Sequence, residues 1–335
     1  MKWYFILTLT VFISCNEQEL KTASVAFYNL ENLFDTEHDF NSSDNQFTPD
    51  GEKKWDEARY TNKLQNLAKV ISELANGEAP TFVGVCEIEN KKVLEDLISQ
   101  PSLKNANYAI VHLDSPDERG IDVGFMYNKS LFKVEYFTAH QPDLSYCNDL
   151  TRDILHIQGK VINGETLHFI INHWPSRGGD SAKSEAKRIA AAIKLNEIKY
   201  RIIETEPNAK IIIMGDFNDE PSNKSIAETL AVSCKQNNTA DGQFFNAFCD
   251  LEIAKKGSYR YKDAWEMLDQ IMVSSTLLSD TTAIHFKNNS AAIKSETWML
   301  QTGKYEGYPL RTYGGNTYLN GYSDHLPVFI LLENE

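Results

Sequence analysis

With 335 residues, 42% of them hydrophobic and 24% charged, the chain can form one large domain or two modest ones, and its make-up excludes a disordered, collagen-like or coiled-coil protein. The formal charge of −14 at pH 7 makes it a poor general binder of polyanions, because non-specific nucleic-acid affinity comes from Lys and Arg neutralising phosphates. Any nucleic acid must be gripped by a local basic patch, whereas divalent cations are drawn towards the protein.

The N-terminus differs from the rest. Lys2 precedes an apolar run from Trp3 to Ile13, too short to span a bilayer but suited to the core of an export signal. Ser14-Cys15 at its end resembles the processing site of bacterial lipoproteins, where the Cys becomes the lipidated first residue; an ordinary cleaved signal is the alternative. The expectation is a signal peptide over 1–14, a lipid-anchored tether over 15–23 attached to a membrane through Cys15, and one domain over 24–335. The protein is then an exported lipoprotein of the bacterial cell envelope.

Ser24–Tyr28 reads as a short apolar strand. Leu64, Leu67, Ala68, Ile71, Leu74 and Ala75 repeat at helical spacing, with Gly77 placed to end the helix. Phe82–Cys86 predicts a buried strand, followed by strands at Tyr108–His112, Val123–Tyr127 and Leu131–Phe137. Asn163-Gly164 between Ile154–Ile162 and Thr166–Asn172 is a hairpin signal. A second helix is predicted from about Ser181 to Ile203, with Ala186, Ile189, Ala190, Ile193 and Ile202 along one face. Lys210–Met214, Gln270–Ser274 and Pro327–Leu332 complete the strands, and one α/β domain with mixed sheets accounts for the pattern. None of Cys86, Cys147, Cys234 and Cys249 forms a C-x-x-C pair, which argues against a zinc ribbon. Cys234 with Cys249 is the expected bridge, and Cys86 a buried thiol.

Polar residues cluster at the strand ends. Asn29 and Glu31 follow the first strand, Glu87 the second, His173 the strand after the hairpin, and Asp216 with Asn218 the strand Lys210–Met214. Asp269 and Asp324-His325 precede their strands. If those two strands run antiparallel to the others, all six sites meet at one edge, where α/β proteins keep their active sites. Carboxylate and amide oxygens suit a Mg²⁺ site, with Mn²⁺ or Ca²⁺ as substitutes, and paired histidines suit proton transfer. Neither a G-x-S-x-G elbow nor a Walker-type loop is present.

Six motifs then occur in order: Phe27–Asp35, Gly84–Asn90, Ile171-Asn172-His173-Trp174-Pro175, Met214–Asp219, Leu268-Asp269-Gln270-Ile271 and Ser323–Val328. Together they resemble the endonuclease/exonuclease/phosphatase superfamily of deoxyribonuclease I-like fold, over about Ser24 to Leu332. The resemblance implies a four-layer α/β sandwich of two packed mixed β-sheets flanked by helices, a metal-dependent site and hydrolysis of phosphate esters. It implies Glu87 as the principal metal ligand with Glu31 nearby, where the family more often has Asp, and Asn29 as a hydrogen-bonding support. Asp216 would orient or deprotonate the attacking water, and Asn218 would fix the scissile phosphate. His325, steadied by Asp269, would bond a phosphate oxygen, Asp324 would assist the metal or water, and His173 would protonate or stabilise the leaving oxygen. Asp122 is the candidate carboxylate partner of His173.

Arg177, Arg260 and Arg311 are the candidate substrate contacts, the last two beside tyrosines that could stack bases. The implied substrate is nucleic acid, DNA or RNA, or another phosphodiester. A phospholipid phosphodiesterase and a sugar or inositol phosphomonoesterase are the alternatives, and no obligate protein partner is evident.

Overall fold

The computed structural model describes residues 21–38, 44–279 and 283–334. The export signal and Cys15 lie outside the described residues, so the lipid anchor remains an expectation. No helix among the described residues is long and apolar enough to cross a membrane.

Two mixed sheets face each other. The first contains β1 (Thr22–Leu33), β2 (Phe82–Ile88), β3 (Tyr108–His112), β4 (Asp122–Asn128), β13 (Ile284–Phe286), β14 (Ala292–Ile293) and β17 (Val328–Asn334). Its order is β13-β17-β1-β2-β4-β3, with β14 also on β17. The second contains β5 (Phe132–His140), β6 (Ile154–Val161), β7 (Thr166–His173), β8 (Lys210–Asp216), β9 (Phe244–Asn246) and β12 (Asp269–Ser274), in the order β5-β6-β7-β8-β12-β9. Short hairpins of β10 (Tyr259–Tyr261) with β11 (Ala264–Glu266), and β15 (Tyr313–Gly314) with β16 (Thr317–Tyr318), stand apart.

The core between the sheets is built from alternate residues: Phe27, Phe82, Phe125, Val328 and Ile330 on one side, Leu155, Phe169, Ile212, Met214 and Ile271 on the other. Such interdigitation of two inner faces is the usual way paired sheets exclude water. At Gly84 the sheets approach so closely that a Cβ would lie 2.5 Å from Met214 Sδ. Helices α1 (Glu57–Ser72) and α2 (Lys91–Ile98) cover the first sheet through Leu64, Leu67, Ile71, Val93 and Leu97. Helix α3 (Ser181–Thr205) covers the second through Ala191, Leu195, Ile198 and Ile202. The result is the four-layer sandwich.

Several details differ from the sequence reading. Ile193 is 51% exposed, because the face of α3 that meets the sheet is phased on Ala191, Leu195, Ile198 and Ile202, spaced by three or four residues. Helix α2, unforeseen, begins where Asn90 Oδ1 accepts the Val93 amide at 3.1 Å, an N-cap readable from the sequence. The two-residue strands and short hairpins carry too little periodicity to predict. The Asn163-Gly164 turn is present, with Gly164 at φ +91°. Cys234 and Cys249, the latter opening α4 (Cys249–Ile253), are disulfide-bonded, and Cys86 is a buried free thiol.

Topology brings the chemistry together. β12 runs antiparallel to β8 with Asp269 opposite Asp216, and β17 runs antiparallel to β1 with Val328 opposite Phe27. The starts of β12 and β17 therefore lie beside the ends of β8 and β1.

Candidate active site

Two breaks in strand register aim the first carboxylates. The β1–β2 pairing shifts between Asn29 and Leu33, and β2–β4 shifts between Cys86 and Ile88. Bulges of this kind redirect side chains beside functional sites. Within them Glu31, Asn32 and Glu87 adopt φ of +49°, +51° and +57°, a left-handed conformation that costs a side chain about 1–3 kcal/mol. Asn218, in the turn after β8, is strained likewise at φ +50°.

Asn29, fully buried, joins the two sheets. Its Nδ2 donates to Asp216 Oδ2 at 3.1 Å and to Glu87 Oε1 at 3.4 Å, while its Oδ1 accepts the Glu31 amide at 2.9 Å. Asp216 also accepts the Asn218 amide at 2.9 Å, and Oδ2 stands 3.8 Å from the Nε2 atoms of both His173 and His325. Burial raises the Asp216 pKa to about 7, against the pull of His325. Glu87 Oε2 accepts the Asn32 amide at 3.0 Å, leaving Oε1 with only long contacts to Asn29 and, at 3.9 Å, to His173.

The histidines are electrostatically opposite. His325 Nδ1 lies 2.7 Å from Asp269 Oδ2. Burial opposes its charge, but Asp269 and Asp216 outweigh that and hold its pKa well above the ordinary histidine value. His173 is pushed well below that value by burial, then by Arg152 and Arg119. Among the described residues its Nδ1 has no hydrogen-bond partner, and its Nε2 faces Asp216 and Glu87. Asp122 is not the partner of His173. It accepts Ser115 N at 2.9 Å and lies 3.0 Å from His112 Nε2, because β4 pairs with β3 and turns this carboxylate to the neighbouring strand's histidine.

Glu31 and Asp324 sit in a separate charge network. Glu31 Oε2 accepts the Thr312 amide at 2.6 Å and lies 3.8 Å from Lys63 Nζ, while Oε1 is 3.6 Å from Arg311 Nε. Arg311 Nη2 also bonds Asp324. Burial, then Asp324, raises the Glu31 pKa to about 7, and burial lowers Lys63 to about 8. Lys63 is fixed by Thr312 Oγ1 at 2.7 Å and the Tyr322 carbonyl at 2.6 Å.

The three expected substrate arginines are occupied by protein groups. Arg177 donates to the Asn218 carbonyl at 2.7 Å, Asn223 Oδ1 at 2.9 Å and Glu266 Oε1 at 3.2 Å. Arg260 donates to the Glu306 carbonyl at 3.2 Å and lies 4.5 Å from the Tyr308 ring centroid. Arg311 is spent on the two carboxylates. Arg119, 48% exposed, lies 3.7 Å from Glu87 and donates to Asn32 Oδ1 at 2.6 Å; the sequence reading gave it no role.

Also missed were the supports of the Asp216 turn. Asn218 Nδ2 donates to the Trp174 carbonyl at 2.9 Å, to which Arg152 Nη2 also donates at 2.8 Å. Asp219 accepts Ser225 Oγ at 2.6 Å and pairs with Arg188 at 2.8 Å. At Gly215 a Cβ would lie 2.5 Å from the Asn172 carbonyl, which explains the glycine before Asp216. Ser323 Oγ donates to the Asn29 carbonyl at 2.7 Å and accepts the His325 amide at 3.1 Å, tying β17's approach to β1.

The donor set fits a divalent cation. Hard carboxylate oxygens of Glu87 and Asp216 converge with unfilled coordination capacity. Ligand atoms of Asp216, Asp269 and His325 lie within 4.8 Å of one another, as do those of Cys86, His173 and Asp216. Burial raises the Cys86 thiol well above its usual pKa, which disfavours the thiolate a soft-metal site needs.

A sequence model of the Endonuclease/Exonuclease/phosphatase family matches residues 24–334. Among solved structures, the human Nocturnin catalytic domain with bound sulfate is 16% identical with a TM-score of 0.58, covering 95% of each chain. A humanized D. rerio TDP2 is 13% identical with a TM-score of 0.57, over 94% of this chain and 100% of that one. A Bacteroides thetaiotaomicron mannosyl-6-phosphatase is 17% identical with a TM-score of 0.53, over 92% and 99%. No curated protein matches the chain. Two packed mixed sheets with a carboxylate–histidine site at one edge define a phosphate-ester hydrolase. The chain belongs to the endonuclease/exonuclease/phosphatase family.

Proposed function

We propose that the protein is a Mg²⁺-dependent phosphodiesterase that cleaves single-stranded or short nucleic acids, exported and held to the cell envelope through Cys15. The observation that carries the chemistry is the Asp216 carboxylate, 3.8 Å from His173 and from His325 and bonded to Asn29. Glu87, with Asp216 beside it, would hold the metal, which when bound offsets phosphate charge and acidifies a water. Asp216 in its ionised form orients the water and takes its proton. Protonated His325 donates from Nε2 to a phosphate oxygen and neutralises charge that grows in the transition state. Neutral His173 offers its Nε2–H to the leaving oxygen, and Asn29 keeps the carboxylates apart and aligned.

Rim composition supports the choice of substrate. With Arg177, Arg260 and Arg311 engaged internally, few cations remain to track a duplex backbone. Tyr261 and Tyr305 are each 51% exposed, and the Tyr259 ring lies 4.8 Å from that of His325. Exposed rings suit splayed bases, whose faces a double helix keeps stacked away.

The test is a panel of single-stranded DNA, RNA, duplex plasmid, sphingomyelin, bis(4-nitrophenyl) phosphate and sugar phosphates, each with Mg²⁺ or EDTA. Preference for single-stranded nucleic acid supports the reading; preference for a lipid or a phosphomonoester overturns it. Full activity in Asp216→Ala would sink the mechanism. For the anchor, radioactive palmitate should label the wild type and not Cys15→Ala.

A further inference from the structure

A cavity of about 870 Å³ opens between the loop Asp117–Arg119, the segment Tyr146–Arg152, Pro175 and the start of α3. Two of its lining residues, Arg119 and Arg152, also reach groups of the site. Arg152 holds the carbonyl of Trp174, the residue after His173, and Arg119 reaches Glu87. No step of the chemistry above uses this space.

Its lining charges balance. Acids and bases are equal in number: Asp117, Glu118, Asp149 and Asp180 against Arg119, Arg152, Lys183 and Lys187. Asp117 pairs with Arg152 at 3.0 Å, Lys187 bonds Asp149, and Asp180 caps α3 through the Ala182 amide at 3.1 Å. A polyanion would find no surplus of positive charge.

Two polar atoms remain unmet. The Thr151 hydroxyl, on a residue 2% exposed, and Arg152 Nε are buried without hydrogen-bond partners. Around them are apolar surfaces: the Tyr146 ring, 60% exposed, Leu150, 48% exposed, and Pro175. Buried polar atoms are seldom left unpaired in a finished site. An open ring beside them suits a flat partner.

We infer that this cavity is the leaving-group subsite and takes a neutral nucleoside, its base against Tyr146 and its polar edge on Thr151 and Arg152. This rests on the phosphodiesterase reading above. Water oxygen bonds to phosphorus, the P–O bond to the nucleoside breaks, and the nucleoside oxygen leaves as a hydroxyl after gaining a proton. The other product is a phosphate monoester. The enzyme would then favour short chains or chain ends, since a longer leaving strand brings further phosphates to a charge-balanced wall.

Two measurements on the full chain test this separately. Thymidine, with mannose as the sugar control, is titrated in EDTA by NMR against wild type, Tyr146→Ala and Thr151→Val. Thymidine binding weakened at least about tenfold in Tyr146→Ala, the scale of losing one stacked base, supports the subsite. Equal binding, no thymidine binding, or preference for mannose overturns it. With Mg²⁺, kcat/KM is compared for thymidylyl-thymidine and the methyl ester of thymidylate. A ratio of ten or more in wild type that collapses in Tyr146→Ala is expected, and an unchanged ratio overturns the inference. Thymidine binding without cleavage of either ester would sink the phosphodiesterase reading and, with it, the assignment as a leaving-group site.

Discussion

The imidazole of His325 and the carboxylate of Asp269 meet at 2.7 Å across the start of β12 and the approach to β17, and this contact keeps the ring cationic inside a buried site. Asp269→Asn preserves the shape and removes the charge. The expected result is a fall in kcat of roughly a hundredfold or more, the low end for loss of a positioned acid, with a thermal midpoint close to wild type. A kcat within threefold of wild type on bis(4-nitrophenyl) phosphate would remove the pair from the chemistry.

Glu87→Gln keeps the hydrogen bond from the Asn32 amide but loses the anion that would anchor a metal. Affinity for Mn²⁺, read by calorimetry, should drop by at least the roughly 10–100-fold that loss of an outer-shell partner costs. EDTA should silence the wild type and Mg²⁺ restore it. Unaltered Mn²⁺ affinity in the variant would move the metal away from Glu87.

On the far face of the second sheet, His156 Nε2 and His168 Nδ1 are 3.0 Å apart, and burial lowers the His156 pKa to about 3. The folded state thus prefers the neutral ring. Its contribution is complete above the unfolded pKa near 6.5 and is lost as pH falls from there towards 3. Relative to His156→Gln, wild type should lose on the order of 2 kcal/mol between pH 7 and pH 4.5. Urea midpoints across that range check it; parallel curves for the two proteins would contradict it.

The Cys234–Cys249 bridge closes a sequence separation of 15 residues. Chain-entropy reasoning gives about 3 kcal/mol for a loop of that size. Cys234→Ser with Cys249→Ser should lower stability by about that amount in urea, with kcat preserved because the bridge lies outside the site. A change below about 0.5 kcal/mol would mean that the loop is already ordered without it.

The sequence reached the strand-end residues because each follows or precedes an apolar run long enough to be a buried strand. Antiparallel β12 and β17 then bring Asp269, Asp324 and His325 to the same edge. Partnerships were less legible. Lys63 reads as a solvated helix charge, yet it meets Thr312 and Tyr322, some 250 positions away. Asp122 was matched to the wrong histidine, since the choice depends on which way a side chain turns at a sheet edge. The partners of the arginines were hidden for a related reason: a cation near a site motif says nothing about which carboxylate or carbonyl it will pair with. Arg119 carries no distinguishing pattern at all.

Asn29 bonds Asp216 of the opposite sheet, and Ser323, just before His325, bonds Asn29. The site is therefore assembled from segments 294 positions apart in the sequence. A nascent chain that has not reached His325 lacks both the ring that meets Asp269 and the Ser323 clasp, so the proposed activity should be absent until both are made. Completion of such a site waits for the segment that carries Ser323 and His325. For a protein proposed to cross a membrane before folding, that timing would spare the cell in which it is made.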